Sequence, residues 1–284
     1  MSKPPRLTLP AAARAYRLST ARGDFAVHEA GEPVRGTALL VPGFTGSKED
    51  FIALLEPLSA AGYRVVAVDG RGQYETPGPR EESAYTLEEL ALDVLAQAAA
   101  LGGGPLHLVG HSLGGLISRA AVLRDPAPFA SLTLLSSGPA TISEEQQART
   151  KLLVGALEAM GDDMPGIWAL MRAQDPEDAV ADSPELARFL RARWVATVPE
   201  QLIGTGRVLI SEPDRVDDLA AVPLPKLVMS GEVDYAWPVP LMDDMARRLG
   251  AERVVVPSSE HSPNAENPQV TAGALVAFWA SCTH

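Results

Sequence analysis

Ser112 sits in the segment LHLVGHSLGGL, residues 106–116, at the centre of a G-x-S-x-G pattern made by Gly110, Ser112 and Gly114. A serine hydroxyl is a weak nucleophile near neutral pH. It attacks a carbonyl only when a base takes its proton and a third group holds that base in the right tautomer. The five-residue pattern is short, but its surroundings sharpen it. An apolar run reads as a strand before it, and a helix-competent run with Leu116, Ile117, Ala120, Val122 and Leu123 follows. A chain turning that sharply from strand to helix crowds its neighbours, which glycine relieves. The strained serine is left at the carboxyl edge of a sheet. The competing reading is a serine that only caps a helix.

The base must come from five histidines. His28 falls on an early edge strand, His107 inside a buried strand and His284 at the far end of the sequence; His111 stands beside the serine and points away from it by strand-to-turn geometry. His261 alone lies in a loop just after the last apolar strand, where it can fold back over Ser112. For the orienting acid, Asp234 precedes Pro238 in a loop, 122 residues after the serine and 27 before the histidine. Glu232 competes for that role, and Glu260 reads as a neighbour of the base. Because Ser112 heads a helix, the Leu113 amide is a donor for a developing oxyanion, reinforced by the helix dipole.

These groups need a scaffold. Short Val- and Leu-rich runs at 37–41, 64–69, 106–110, 131–135, 225–230 and 253–257 alternate with stretches of helical period, the pattern of a mostly parallel sheet covered on both faces. A more polar pair at 16–20 and 24–29 suits an antiparallel edge. Helix ends are marked by the capping box Thr86-Leu87-Glu88-Glu89, by the stop Gly102-Gly103-Gly104, and by Asn267-Pro268 ahead of a closing helix. From Ser136 to about Asp217 strand signals vanish. Two capped helical patterns take over, one at Ser143 with Gln146 and one at Ser183-Pro184. A connection of some eighty residues far exceeds the usual length of about 2–6. The expected organisation is an α/β core over 1–138 and 215–284 with a helical lid inserted at 139–214, jointed near 161–166.

Other chemistries have little support. Twenty-four basic against 36 acidic residues leave a net charge of −12, which disfavours nucleic acid and anionic membranes as partners. Cys282 is the one cysteine, too few for a disulfide framework or a sulfur-ligated metal. The segment 43–48 lacks the P-loop pattern and no H-E-x-x-H occurs, so no cofactor and no metal are expected. Neither a leader-like N-terminus nor a long apolar run is present, so the expectation is a soluble, cytoplasmic protein.

In five blocks the sequence resembles the α/β-hydrolase fold family: the Ser112 turn, Val41-Pro42-Gly43-Phe44-Thr45-Gly46, Asp69-Gly70-Arg71-Gly72, Ser230-Gly231-Glu232-Val233-Asp234, and Glu260 to Pro268. The resemblance runs from about 37 to 280 and leaves only the inserted segment unmatched. It implies an eight-stranded, mostly parallel sheet flanked by helices, and a triad in the order Ser112, Asp234, His261. It also implies the Phe44 amide as the second oxyanion donor beside Leu113, with Gly43 and Gly46 letting the loop approach closely. Pro42 stands where relatives commonly carry histidine; it removes a side-chain hydrogen bond that steadies the loop and leaves the Phe44 amide in place. Asp69 and Arg71 look like the family's structural turn, and Gln73 and Tyr74 follow where that turn faces the site. Pocket candidates are Gly43, His111, Trp168 and Trp237, while Met160, Met164, Met171 and Trp194 read as core of the lid.

The expected activity is cofactor-free cleavage of a small, mainly apolar carboxylic ester through an acyl-enzyme, with a small acyl compound as the partner molecule. The same triad also serves carbon–carbon bond hydrolysis, lactone opening, acyl transfer or perhydrolysis. From another class, a ligand receptor keeps the pocket without turnover. Oligomeric state is not written in the sequence.

Overall fold

The computed structural model describes residues 2–173 and 182–282. Eight strands form one sheet in the order β1-β2-β4-β3-β5-β6-β7-β8. They are β1 (Ala13–Thr20), β2 (Gly23–Ala30), β3 (Gly36–Val41), β4 (Tyr63–Val68), β5 (Leu106–His111), β6 (Phe129–Leu135), β7 (Lys226–Gly231) and β8 (Glu252–Val256). β1 and β2 pair antiparallel, β2 joins β4 antiparallel with Val27 opposite Val68, and every remaining pairing is parallel. The mostly parallel sheet and its polar antiparallel edge agree with the sequence reading.

Alternation along the central strands sorts side chains into two layers. Leu39, Val66, Leu108, Leu132 and Val228 point to one face, where helices α2 (Leu87–Leu101), α3 (Leu113–Arg124) and α9 (Val239–Leu249) cover them. Leu40, Val65, Val109, Leu227 and Met229 point to the other, against α1 (Ile52–Ala60) and α11 (Pro268–Ser281). With both faces covered, the strands read as unbroken apolar runs. Helix α1 has no side-chain cap and carries Pro57 in its interior, so no boundary signal marks it in the sequence.

Among the described residues five helices lie between β6 and β7: α4 (Glu144–Met160), α5 (Met164–Arg172), α6 (Pro184–Ala196), α7 (Pro199–Ser211) and α8 (Val216–Ala220). Val154, Leu157, Met164, Ile167, Trp194 and Leu202 close a small core of their own. Two of the expected N-terminal caps and one expected stop are made: the Thr86 side chain accepts from the Glu89 amide and opens α2, which Gly102 ends at φ 59°, and Ser183 accepts from the Leu186 amide. Asp163 adds a cap to α5 through the Gly166 amide. Two expected caps are corrected. Ser143 instead donates its hydroxyl to the Tyr235 carbonyl at 2.8 Å, and Asn267 donates its amide to the Pro257 carbonyl at 2.9 Å. Each side chain ties its helix to a distant loop, a partner that local sequence does not announce. The four-residue turn α10 (Pro263–Glu266) completes the chain order before α11.

Candidate active site

The candidate residues Ser112, Asp234 and His261 lie at the carboxyl edge of the sheet, after β5, β7 and β8. Strand β5 ends at His111 and α3 starts at Leu113, so Ser112 alone makes the turn, with φ 56° and ψ −120°. That backbone is strained for a residue with a side chain. Its neighbours hold it there: the Ser112 amide donates to the Leu135 carbonyl at 2.9 Å, and the Ser112 carbonyl accepts from the Gly115 amide at 2.9 Å. Gly114 is required because a Cβ at that position would lie 2.3 Å from the Val41 carbonyl oxygen, where α3 seats against the end of β3. The Ser112 hydroxyl makes no capping bond to α3, which removes the reading of this residue as a simple helix cap.

His261 reaches the serine from the loop after β8. Its Nε2 lies 3.1 Å from Ser112 Oγ, and its Nδ1 lies 2.8 Å from Asp234 Oδ2. A carboxylate only accepts, so Nδ1 carries the proton and donates to Asp234, leaving Nε2 free to accept from the serine hydroxyl. Asp234, in the loop after β7, has a fully buried carboxylate. Its other oxygen accepts from the Ala236 and Trp237 amides at 2.8 and 3.0 Å, which fixes the face it shows to the histidine. Glu232 is occupied elsewhere, accepting from the Ser258 amide at 2.9 Å, and Glu260 is exposed. The choice left open between the two acids falls on Asp234.

His111 supports the arrangement from behind. Burial holds its ring neutral, with a pKa pushed down to about 3. Its Nε2–H donates to the His261 carbonyl at 2.8 Å, bracing the histidine's backbone. On the other side Gly43 packs so closely that a Cβ there would meet Ser112 Cβ at 3.0 Å. The next amide along, Phe44 N–H, has no hydrogen-bond partner among the described residues. Leu113 N–H opens α3, where the helix supplies no acceptor of its own. Two unspent backbone donors thus flank the serine.

A cavity of about 130 Å³ opens onto Ser112 and His261. Phe44, Ile142, Leu209 and Ala236 give it apolar wall, while Thr45, Gln146, Thr150, Tyr235 and Ser2 supply polar groups; Gly43 and His111 also line it. Two expected wall residues are corrected. Trp168 packs beside Trp194 at 6.2 Å with the Arg172 guanidinium over its ring, and is not in the lining. Trp237 is wholly buried behind His261, its indole donating to the Ala140 carbonyl at 2.9 Å. Gln73 and Tyr74 also miss the cavity: Gln73 is buried under the loop that carries Gly43, and Tyr74 lies over the Lys48 ammonium. Asp69 and Arg71 are scaffold: the Asp69 carboxylate takes the Lys48 amide at 2.7 Å, and Arg71 pairs with Asp93. The sequence reading missed Gln146 and Thr150, whose i, i+4 spacing on α4 was the available signal, and Ser2, for which there was none.

The sequence matches the alpha/beta hydrolase family over residues 38–274. The chain belongs to that family. Among curated proteins this hydrolase is similar to a pimeloyl-[acyl-carrier protein] methyl ester esterase of Aeromonas hydrophila, 29% identical over 221 residues, which cover 75% of this chain and 84% of the relative. It is also similar to a monoacylglycerol lipase of Mycolicibacterium smegmatis, 28% identical over 230 residues and 78% of each chain. Among solved structures its fold is like that of a thermophilic esterase from Thermogutta terrifontis, with a TM-score of 0.76 and 24% identity over 95% of this chain and 100% of that one. No helix of this hydrolase among the described residues is long and apolar enough to cross a membrane.

Proposed function

We propose that this hydrolase cleaves a small, mainly apolar carboxylic ester through an acyl-enzyme on Ser112. The observation that carries the reading is the line of contacts from Asp234 Oδ2 through His261 to Ser112 Oγ, 2.8 and 3.1 Å long, opening on a cavity of about 130 Å³. Ser112 Oγ attacks the ester carbonyl as its proton passes to His261 Nε2, and Asp234 stabilises the imidazolium that forms. The oxyanion is taken up by the Phe44 and Leu113 amides, each worth roughly 3 kcal/mol of barrier in a dry site. His261 returns the proton to the departing alcohol. A water then attacks the acyl-enzyme by the same route in reverse, freeing the acid and restoring the serine.

Cavity size bounds the substrate. An apolar cavity of roughly 150 Å³ accommodates benzene, so the space beside Ser112 suits a group of similar size, on the order of six heavy atoms. The ester hydrolysis named for the two curated relatives supports the bond type, and the small cavity argues for a shorter acyl chain than a lipase takes. The inserted stretch 139–214 acts as the lid: Gln146 and Thr150 of α4 and Leu209 of α7 reach the cavity, with Ile142 from the loop ahead of α4.

A series of p-nitrophenyl esters from acetate to decanoate tests this. The expected profile peaks at short acyl chains, falls steeply beyond about six carbons, and vanishes in Ser112→Ala. A preference for decanoate, or turnover that survives Ser112→Ala, would contradict it.

A further inference from the structure

Gln73 touches no part of the cavity, yet it is buried at 4% exposure directly beneath the loop that flanks Ser112. Both ends of its side-chain amide are engaged. Oε1 accepts from the Gly70 amide at 2.9 Å, and Nε2 donates to the Gly43 carbonyl at 3.0 Å. The two partners also fix which end of the amide is oxygen, because an N–H must face Oε1 and a carbonyl must face Nε2. Gly70 and Gln73 close their own turn, Gln73 N–H donating to the Gly70 carbonyl at 3.0 Å, so the side chain springs from a rigid base.

The consequence lies on the far side of one peptide. Gly43 C=O and Phe44 N–H belong to the same planar trans unit, so they point in opposite directions. Whatever holds the carbonyl down aims the amide up. Among the described residues the only other bond on that carbonyl comes from Gly46 N–H at 3.1 Å, inside a short loop in which Thr45 adopts φ 59°. A glycine at 43 leaves this peptide free to rotate, and Pro42 supplies no side-chain donor to stop it.

We propose that Gln73 is the positioning residue of the oxyanion site: by clamping the Gly43 carbonyl it keeps the Phe44 N–H directed at the substrate oxygen. Gln73 thus does from the turn after β4 what Pro42 cannot do from within the loop. The inference rests on the serine-hydrolase reading and adds to it the group that preorganises one of its two donors. A preorganised donor strengthens in the transition state and contributes little to ground-state binding, so its loss appears in kcat.

Two variants test the clamp. Gln73→Glu keeps the acceptor for Gly70 N–H and loses the donor to Gly43, while Gln73→Met loses both. At pH 8 each is expected to lower kcat by about tenfold to a hundredfold, less than outright removal of an oxyanion donor, with KM within twofold of the parent. Affinity for an aryl trifluoromethyl ketone, whose adduct carries the oxyanion, is expected to fall by the same factor as kcat. Because a protonated carboxyl donates again, the activity of Gln73→Glu relative to the parent is expected to recover as pH is lowered, and that of Gln73→Met to stay flat. Unchanged kcat and unchanged ketone affinity in both variants overturn the proposal, as does a rise in KM alone, which would make Gln73 a substrate contact. If the parent protein neither turns over esters nor binds the ketone, the failure belongs to the serine-hydrolase reading itself. If Gln73→Met does not fold, Gln73→Glu carries the test through its pH dependence.

Discussion

Three buried histidines away from the proton-transfer position set how the molecule tolerates acid. Burial pushes the His107 pKa down to about 4 and that of His111 to about 3, and lowers that of His28 as well. His107 is stacked on Trp279 at 5.0 Å and paired with Ser131 Oγ at 2.8 Å, with no carboxylate to welcome a charge. The unfolded chain takes up these protons near pH 6.5 and the folded chain does not, so stability falls as pH drops below about 6.5 and goes on falling toward the folded values. His107 and His111 each contribute a slope of about 1.4 kcal/mol per pH unit in that window. Urea unfolding at pH 7 and pH 5 checks this: His107→Gln, which keeps a partner for Ser131, is expected to lose about 1–2 kcal/mol less than the parent between the two. An equal loss in both proteins would contradict a neutral His107. At this scale the sequence was most legible where chemistry restricts residue type. Few histidines and acids sit in loops after strands, so Ser112, Asp234 and His261 could be singled out. Trp168 and Trp237 were not legible, because an indole says only that a residue packs, and their neighbours, Trp194 and the Ala140 carbonyl, come from other parts of the fold.

At the scale of elements, the inserted helices are held to the sheet domain by a buried charge. Arg193 on α6 is 1% exposed. It donates to Asp50 Oδ1 at 2.7 Å, to Ser47 Oγ at 3.2 Å and to the Ser2 carbonyl at 2.8 Å. Asp50 in turn offers its backbone carbonyl to Asn264 Nδ2 at 2.8 Å, so one cluster joins α6, the loop after β3 and the histidine loop. Removing one member of such a pair strands the other charge without solvent, which costs about 3–5 kcal/mol. Arg193→Met is expected to lower stability by that amount in chemical denaturation, and Asp50→Asn combined with Arg193→Met to recover much of it. A loss below 1 kcal/mol in Arg193→Met would mean the cluster contributes little. Helices with a local cap were legible, as Thr86 and Ser183 illustrate. The helices after Ser143 and Asn267 were legible too, but the tertiary bonds of those two residues were not: they spend their side chains on the Tyr235 and Pro257 carbonyls. Helix α1 escaped because it has no cap at all.

At the scale of the whole molecule, the sheet turns remote sequence into proximity. β5, β7 and β8 lie in one parallel set with β6 between β5 and β7, so the loops leaving their carboxyl ends converge on one edge. That topology brings Ser112 against His261 from 149 residues away and against the Asp234 loop between them. The order of apolar runs made this edge legible; the cavity wall was not, because it depends on how α4, α7 and the chain near Ser2 are laid over it. Activation of the serine should therefore exist only in the assembled fold. The most direct measurement is stoichiometric labelling with a fluorophosphonate, read by intact mass and peptide mapping. The account predicts one label per chain, on Ser112, none in Ser112→Ala, labelling slowed at least a thousandfold or so in His261→Ala, and loss of labelling in step with unfolding in urea. A label on another residue, or a rate indifferent to His261, would contradict it.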